Sequence, residues 1–121
     1  MTADHQRHTS RRETPTEIAL AADQGDPSAA ATMERYQHRM ARALASVINV
    51  LDPDVIVLGG GMSNIDRLYE QVPRIWVDYV FAATGSTPNI RTRLVQAAHG
   101  DASGVRGAAW LWSDESVARS P

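Results

Sequence analysis

The chain has 121 residues, a formal net charge of −2 and no cysteine. That length points to one domain, the near-neutral charge implies no whole-domain attraction to nucleic acid or anionic membrane, and the absence of thiols excludes disulfides and thiolate zinc ligands. All twelve basic residues are arginine, which removes the lysine that a Walker-type phosphate loop or a Schiff base requires.

The first stretch, "MTADHQRHTSRRETP", is polar and lacks the apolar core of a secretory signal; a mobile tail is expected over 1–13. Nowhere does an apolar run approach the roughly 20 residues that span a bilayer, so a cytoplasmic protein without membrane or nucleic-acid partners is expected. Thr14-Pro15-Thr16-Glu17 predicts a helix entry, with Thr14 capping, Pro15 in the first turn and Glu17 closing a capping box. The short helix should end near Gly25. Asp26-Pro27 repeats the cap-then-proline signal. After it, Met33, Tyr36, Met40, Leu44, Val47, Ile48 and Leu51 trace one apolar stripe at helical spacing, which predicts a long helix. Asp52-Pro53 ends it, because the residue before proline is pushed out of the helical region.

"DVIVL" follows, unbroken by polar residues, as in a parallel strand buried on both faces. "MSNIDRLYEQV" predicts a helix with Ser63 or Asn64 near its cap, and Pro73 opens a second helical segment, "PRIWVDYVF". Within that segment Trp76 and Tyr79, three apart, form an aromatic packing pair. "AATGSTPN" is a loop, "IRTRLVQAA" an edge-leaning strand, and "VRGAAWLW" a last helix with small residues where another element approaches. The order predicts an α/β architecture, a long helix followed by a βαβα unit. Two strands alone make a poor sheet, so the chain reads as part of a larger sheet domain.

Gly59-Gly60-Gly61 stands at the end of the first strand. Ligands in open α/β sheets sit beyond the carboxyl ends of strands, and glycine lets a planar base or sugar lie against the backbone. The same triplet also suits a tight strand-to-helix turn with no ligand, and both readings stay open on spacing alone. The dinucleotide fingerprint does not apply, since "GGGMSN" lacks its glycine spacing. His38 lies off the long helix's stripe and reads as solvated. His99 and Asp101, in "AAHGDASG", fit a structural turn at the exit of the second strand as well as a polar group beside a site. No Ser-His-Asp set can be assembled, and four scattered histidines lack metal-ligand spacing. No catalytic or metal residue is therefore assigned.

"RMARALASVINVLDPDVIVLGGGMSNIDRLYEQVP" and "AAHGDASGVRGAAWLW" together resemble the C-terminal part of ROK-family sugar kinases, most closely the bacterial fructokinase-like members. The similarity covers about Thr14 to Trp112, with 114–121 a short polar tail. The resemblance implies a partial ribonuclease-H-like (actin-like ATPase) lobe and a parent activity of ATP-dependent phosphoryl transfer to a hexose hydroxyl. It places Gly59, Gly60, Gly61, Met62 and Asn64 against the adenosine of the nucleotide, with Ser63 in the same loop. The family's phosphate-binding D-x-G-x-T element, its sugar-binding aspartate segment and its histidine–cysteine zinc motif are missing from the 121 residues. The expectation is a nucleotide-side piece that binds ATP or ADP weakly and is inactive alone, with Mg²⁺ used only in a complete kinase and no zinc. Its partners would be a missing kinase lobe or a second copy in a homodimer. A self-associating module without enzymatic activity is the alternative, burying Met33, Met40 and Leu44, and Trp110 or Trp112, against that copy.

Overall fold

A computed structural model describes residues 1–9 and 13–111. Helix α1 (Thr2–Thr9) comes first. It replaces the mobile tail expected there, and its anchoring is polar rather than hydrophobic. Asp4 is buried within reach of three guanidiniums: Arg35 Nε at 3.0 Å, Arg39 Nη2 at 3.6 Å and Arg7 Nη2 at 3.9 Å. His5, fully buried, lies 3.0 Å from Thr32 Oγ1 through Nδ1 and 3.0 Å from Glu13 Oε2 through Nε2. Hydrophobic patterning cannot register an element held this way.

Helix α2 (Pro15–Asp23) starts at the capping box read from its sequence. Thr14 N–H donates to Glu17 Oε2 at 2.7 Å, and Glu17 N–H donates to Thr14 Oγ1 at 3.3 Å. Hydrogen bonding of the carboxylate to Thr14, first from its backbone N–H and then from its side chain, holds the exposed Glu17 below the usual glutamate range. Helix α3 (Pro27–Leu51) is capped by Asp26, whose Oδ1 accepts from Ser28 N–H at 2.9 Å and Ala29 N–H at 3.2 Å. It closes at Asp52, left-handed at φ 44°, with Pro53 directly after. Among the described residues no helix is long and apolar enough to cross a membrane.

The buried side of α3 is rotated from the predicted stripe. Met33 and Ile48 are buried as expected, but Val47 and Leu51 are exposed, and Ala29, Ala41 and Ala45 take inward positions. Alanine lets helices approach closely, and α3 packs on both α2 and α4 (Arg67–Trp76). Large residues from those neighbours, Ile18, Leu68, Val72 and Trp76, join Met33 and Ile48 in one core cluster. The burial of Met33 inside this core removes it from any surface open to a second copy.

Pro73 sits within α4 rather than opening a new helix; a short 3₁₀ turn, Val77–Tyr79, continues it. Trp76 is buried, whereas the Tyr79 ring lies outside the core under the Arg42 guanidinium, 5.8 Å from it, in place of the expected aromatic pairing. Strands β1 (Val55–Leu58) and β2 (Arg93–Gln96) pair in parallel, Val55 opposite Arg93 through Leu58 opposite Gln96. Ile56, Leu58 and Leu94 turn toward the helices, while Val55 and Val57 face outward. The apolar run is thus covered on one face only, contrary to the two-sided burial expected. Helix α5 (Ser103–Trp110) closes the described chain with Val105 and Trp110 exposed. Trp112 and 114–121 lie outside the described residues.

Candidate functional site

β1 delivers the chain into Gly59-Gly60-Gly61 at its carboxyl end, and a 3₁₀ turn, Gly61–Asn64, follows at once. Gly60 has φ 74° and ψ −174°, a conformation essentially restricted to glycine. Backbone geometry therefore demands one glycine of the three. The other two carry no such demand: a Cβ built on Gly59 or Gly61 meets no atom of the described residues within 4 Å. No internal neighbour excludes a side chain there. What glycine preserves at 59 and 61 is bare backbone facing open space, the surface a flat ligand uses.

The turn is held from inside. Ser63 is fully buried; its Oγ donates to Gly60 O at 2.6 Å, and its N–H donates to the same oxygen at 3.0 Å. Tyr69, one turn into α4, donates its hydroxyl to Ser63 O at 2.6 Å. Burial, and then the nearby Asp66 carboxylate, push the Tyr69 phenol above its ordinary value. Ser63 thus acts as the bolt of the turn, and Asn64 does not cap α4. Position 66 occupies that cap without a side-chain bond, while Asn64 Oδ1 accepts from Gln96 Nε2 at 3.2 Å. That bond ties the turn to the end of β2.

The second motif arrives at the same place. Ala97 N–H donates to Leu58 O at 2.8 Å, extending the strand pairing past β2. The chain then forms a 3₁₀ turn, Gly100–Ala102, which packs against the turn Gly61–Asn64. Parallel pairing brings both turns to one end of the sheet, the carboxyl end, where open α/β sheets hold ligands. His99 is exposed, its Nδ1 3.3 Å from Arg106 Nη1. The side chain of Asp101 lies outside the described residues.

Of the five residues assigned from sequence, Gly59, Gly60, Gly61 and Asn64 are exposed and Met62 is half-buried. Beside them runs a groove of about 170 Å³, lined by Thr16, Leu20 and Asp23 of α2 and by Asn64, Ile65 and Arg67. Across it Arg67 Nη1 stands 3.2 Å from Asp23 Oδ1. The contribution of α2 had no signal in the sequence, since it depends on how α2 and α4 flank α3. The open glycine backbone suits the flat part of a nucleotide. Among the described residues no group of three or more His, Asp or Glu is gathered to hold a metal ion.

Comparison with known proteins sets these motifs in context. Residues 2–115 match the ROK family. The chain is 36% identical over 95 residues to an N-acetyl-D-glucosamine kinase of Vibrio atlanticus and 40% identical over 100 residues to one of Escherichia coli O1:K1. Each alignment covers 78% of this chain and 30% of the relative, so the chain spans about a third of the length of those kinases. A crystal structure from Cytophaga hutchinsonii that carries a sugar-kinase description superposes with a TM-score of 0.64 at 28% identity, over 86% of this chain and 34% of that one. The names of these relatives specify N-acetylglucosamine rather than fructose. A match running through both motifs and through α1, whose sequence alone carried no signal, leads to one conclusion: this chain belongs to the ROK family.

Proposed function

We propose that this chain supplies the nucleotide-facing side of an ATP-dependent sugar kinase, with Gly59, Gly60, Gly61, Met62 and Asn64 lying against the adenosine. The observation that carries this reading is the bare glycine backbone at the carboxyl end of β1, held open by Ser63 and backed by the second turn. N-acetylglucosamine ranks ahead of fructose as the acceptor sugar, by analogy with the kinases this chain resembles. The chain by itself is expected to be inactive. Transfer to a hexose needs a positioned base and stabilised phosphate charge. Asp52 closes α3 and Asp78 lies in the 3₁₀ turn after α4, so neither stands at the glycine turn; Asp66, at the start of α4, and Asp23, paired with Arg67, line the groove beside it.

Two measurements on the full chain test the proposal. In an amide-shift titration, ADP should perturb Gly59 to Asn64 and the groove residues Leu20 and Arg67. An ADP response confined to other residues, or none at saturation, overturns the nucleotide reading. A coupled ADP-release assay with N-acetylglucosamine, fructose, glucose and mannose should show no sugar-dependent turnover. Turnover that disappears in Asp101→Asn would overturn the expectation of inactivity, and its sugar preference would decide between the two acceptors.

The alternative, a self-associating module, draws support from the outward face of the sheet, where Val57 is 58% exposed, and from Trp110, 79% exposed. Sedimentation at tens of micromolar separates the readings. A folded monomer removes self-association, whereas a dimer that dissociates in Val57→Glu supports it.

A further inference from the structure

A second feature lies at the other end of the sheet. Along the outward side of α3, Arg39, Arg42, Ala43, Ser46 and Asn49 recur at helical spacing and line a cleft of about 510 Å³. Tyr79 and Phe81, from the segment after α4, form its opposite wall. An adjoining cavity of about 270 Å³ shares Asn49 and Phe81 and reaches Asp52 and Ile90, just before the two strands begin. This is the amino end of the sheet, away from the glycine turn.

The aromatic wall is pinned in place. Phe81 is 86% exposed, yet its N–H donates to Asn49 Oδ1 at 2.8 Å, while Asn49 Nδ2 donates to Tyr79 O at 3.0 Å. The Asn49 amide meets the segment as the edge of a neighbouring strand would, satisfying one acceptor and one donor two residues apart. An aromatic ring is thereby presented to water from a fixed backbone, at a hydration cost that folding of this chain does not offset.

The helix wall supplies charge. Arg42 lies over the Tyr79 ring and has no ion pair among the described residues. Arg39 is shared with Asp4 at 3.6 Å and remains 62% exposed. Among the described residues no carboxylate lines the cleft. Ala43 keeps the helix surface low between the two arginines and the rings.

We propose that this cleft binds a planar aromatic anion, its ring stacked on Phe81 beside Tyr79 and its carboxylate or phosphate held by Arg42, with Arg39 adding charge. A guanidinium matches the planar, bidentate geometry of either anion. A neutral ring would leave Arg42 without its counter-charge, and inorganic phosphate would leave Phe81 uncovered.

The test titrates the full chain with phenyl phosphate, benzoate, inorganic phosphate and phenol, following backbone amides. Phenyl phosphate, benzoate or both should shift Arg42, Ser46, Asn49 and Phe81, and the tighter of the two identifies the anionic group. Inorganic phosphate and phenol should each bind about tenfold more weakly than that aryl anion. Arg42→Gln and Phe81→Ala should each weaken the aryl anion by about tenfold. Both side chains project from the surface, so the amide spectrum elsewhere should stay unchanged. The proposal is overturned if neither aryl anion shifts the cleft, if inorganic phosphate binds as tightly as they do, or if both variants bind like the parent chain.

Discussion

Gly60 and Gly61 are neighbours under different constraints, and substitution should separate them. Gly60→Ala forces a side chain into a conformation reserved for glycine and should cost about 1–3 kcal/mol in urea unfolding. Gly61→Ala meets open space and should leave stability within about 0.5 kcal/mol, yet weaken ADP binding by crowding the ligand. If both variants lose stability equally, the division of roles is wrong. Tyr69 gives a second handle on the same turn. Its hydroxyl donates to Ser63 O, so Tyr69→Phe should cost about 1 kcal/mol. Because its folded pKa is raised, the stabilisation is complete below the unfolded tyrosine range and is lost as pH rises through the folded value. Alkaline unfolding should therefore begin at lower pH in the parent chain than in Tyr69→Phe when each is referenced to its own neutral stability. Identical alkaline profiles would remove Tyr69 from the turn's support.

Among the elements, α3 shows how a correct helix can carry a misplaced face. Spacing by three and four predicts the helix, but hydrophobicity alone turns Val47 and Leu51 inward and gives no weight to Ala41 and Ala45, which the structure buries. Large apolar residues mark a face only when the partner leaves room for them; here α2 and α4 approach closely enough that alanine fits better. Met33→Ala should cost about 2–5 kcal/mol through the cavity it leaves, while Leu51→Ala, at a position 71% exposed, should be near neutral. Comparable losses from the two would restore the predicted stripe. The start of α2 was legible in full, since a capping box is local chemistry. Glu17 has a depressed pKa, so its contribution is present above the unfolded glutamate range and lost as pH falls through the folded value. Glu17→Gln should flatten the acid dependence of exchange at the first amides of α2.

For the molecule as a whole, α1 is fastened to the helical core by polar groups. Its tie to α3 runs through Asp4 and the arginines of α3, not through an apolar stripe. Asp4→Asn removes the charge that Arg35 and Arg39 share and should speed amide exchange across 2–9, leaving the core helices protected. Equal acceleration everywhere would mean that α1 and the core open together. Unchanged exchange would mean that Asp4 does not hold the helix. The half-covered sheet belongs to the same scale. Two parallel strands with helices on one side leave Val55 and Val57 toward solvent, the situation expected where a sheet continues into further structure.

Whatever depends on residues near one another in sequence was already determined by the chain: the capping box at Thr14 and Glu17, the stop at Asp52-Pro53, the glycine triplet after an apolar strand, and the two long motifs that mark the family. Each rests on backbone conformation or on bonds spanning three or four residues, which hold wherever the segment packs. The tertiary structure alone decided the rest. It rotated α3 onto its alanines, left one face of the sheet open, fastened a polar N-terminal segment through Asp4 and His5, and brought the turn at Gly100 against the turn at Gly61. It also turned Ser63 from a candidate cap into the bolt of the glycine turn, and set Phe81 in the open, lining one cleft with Arg42. Those outcomes depend on interhelical distance and on partners far away in sequence, such as Asn49 for Phe81, 32 residues apart, and Thr32 for His5, 27 apart. Periodicity along a single chain carries no record of either.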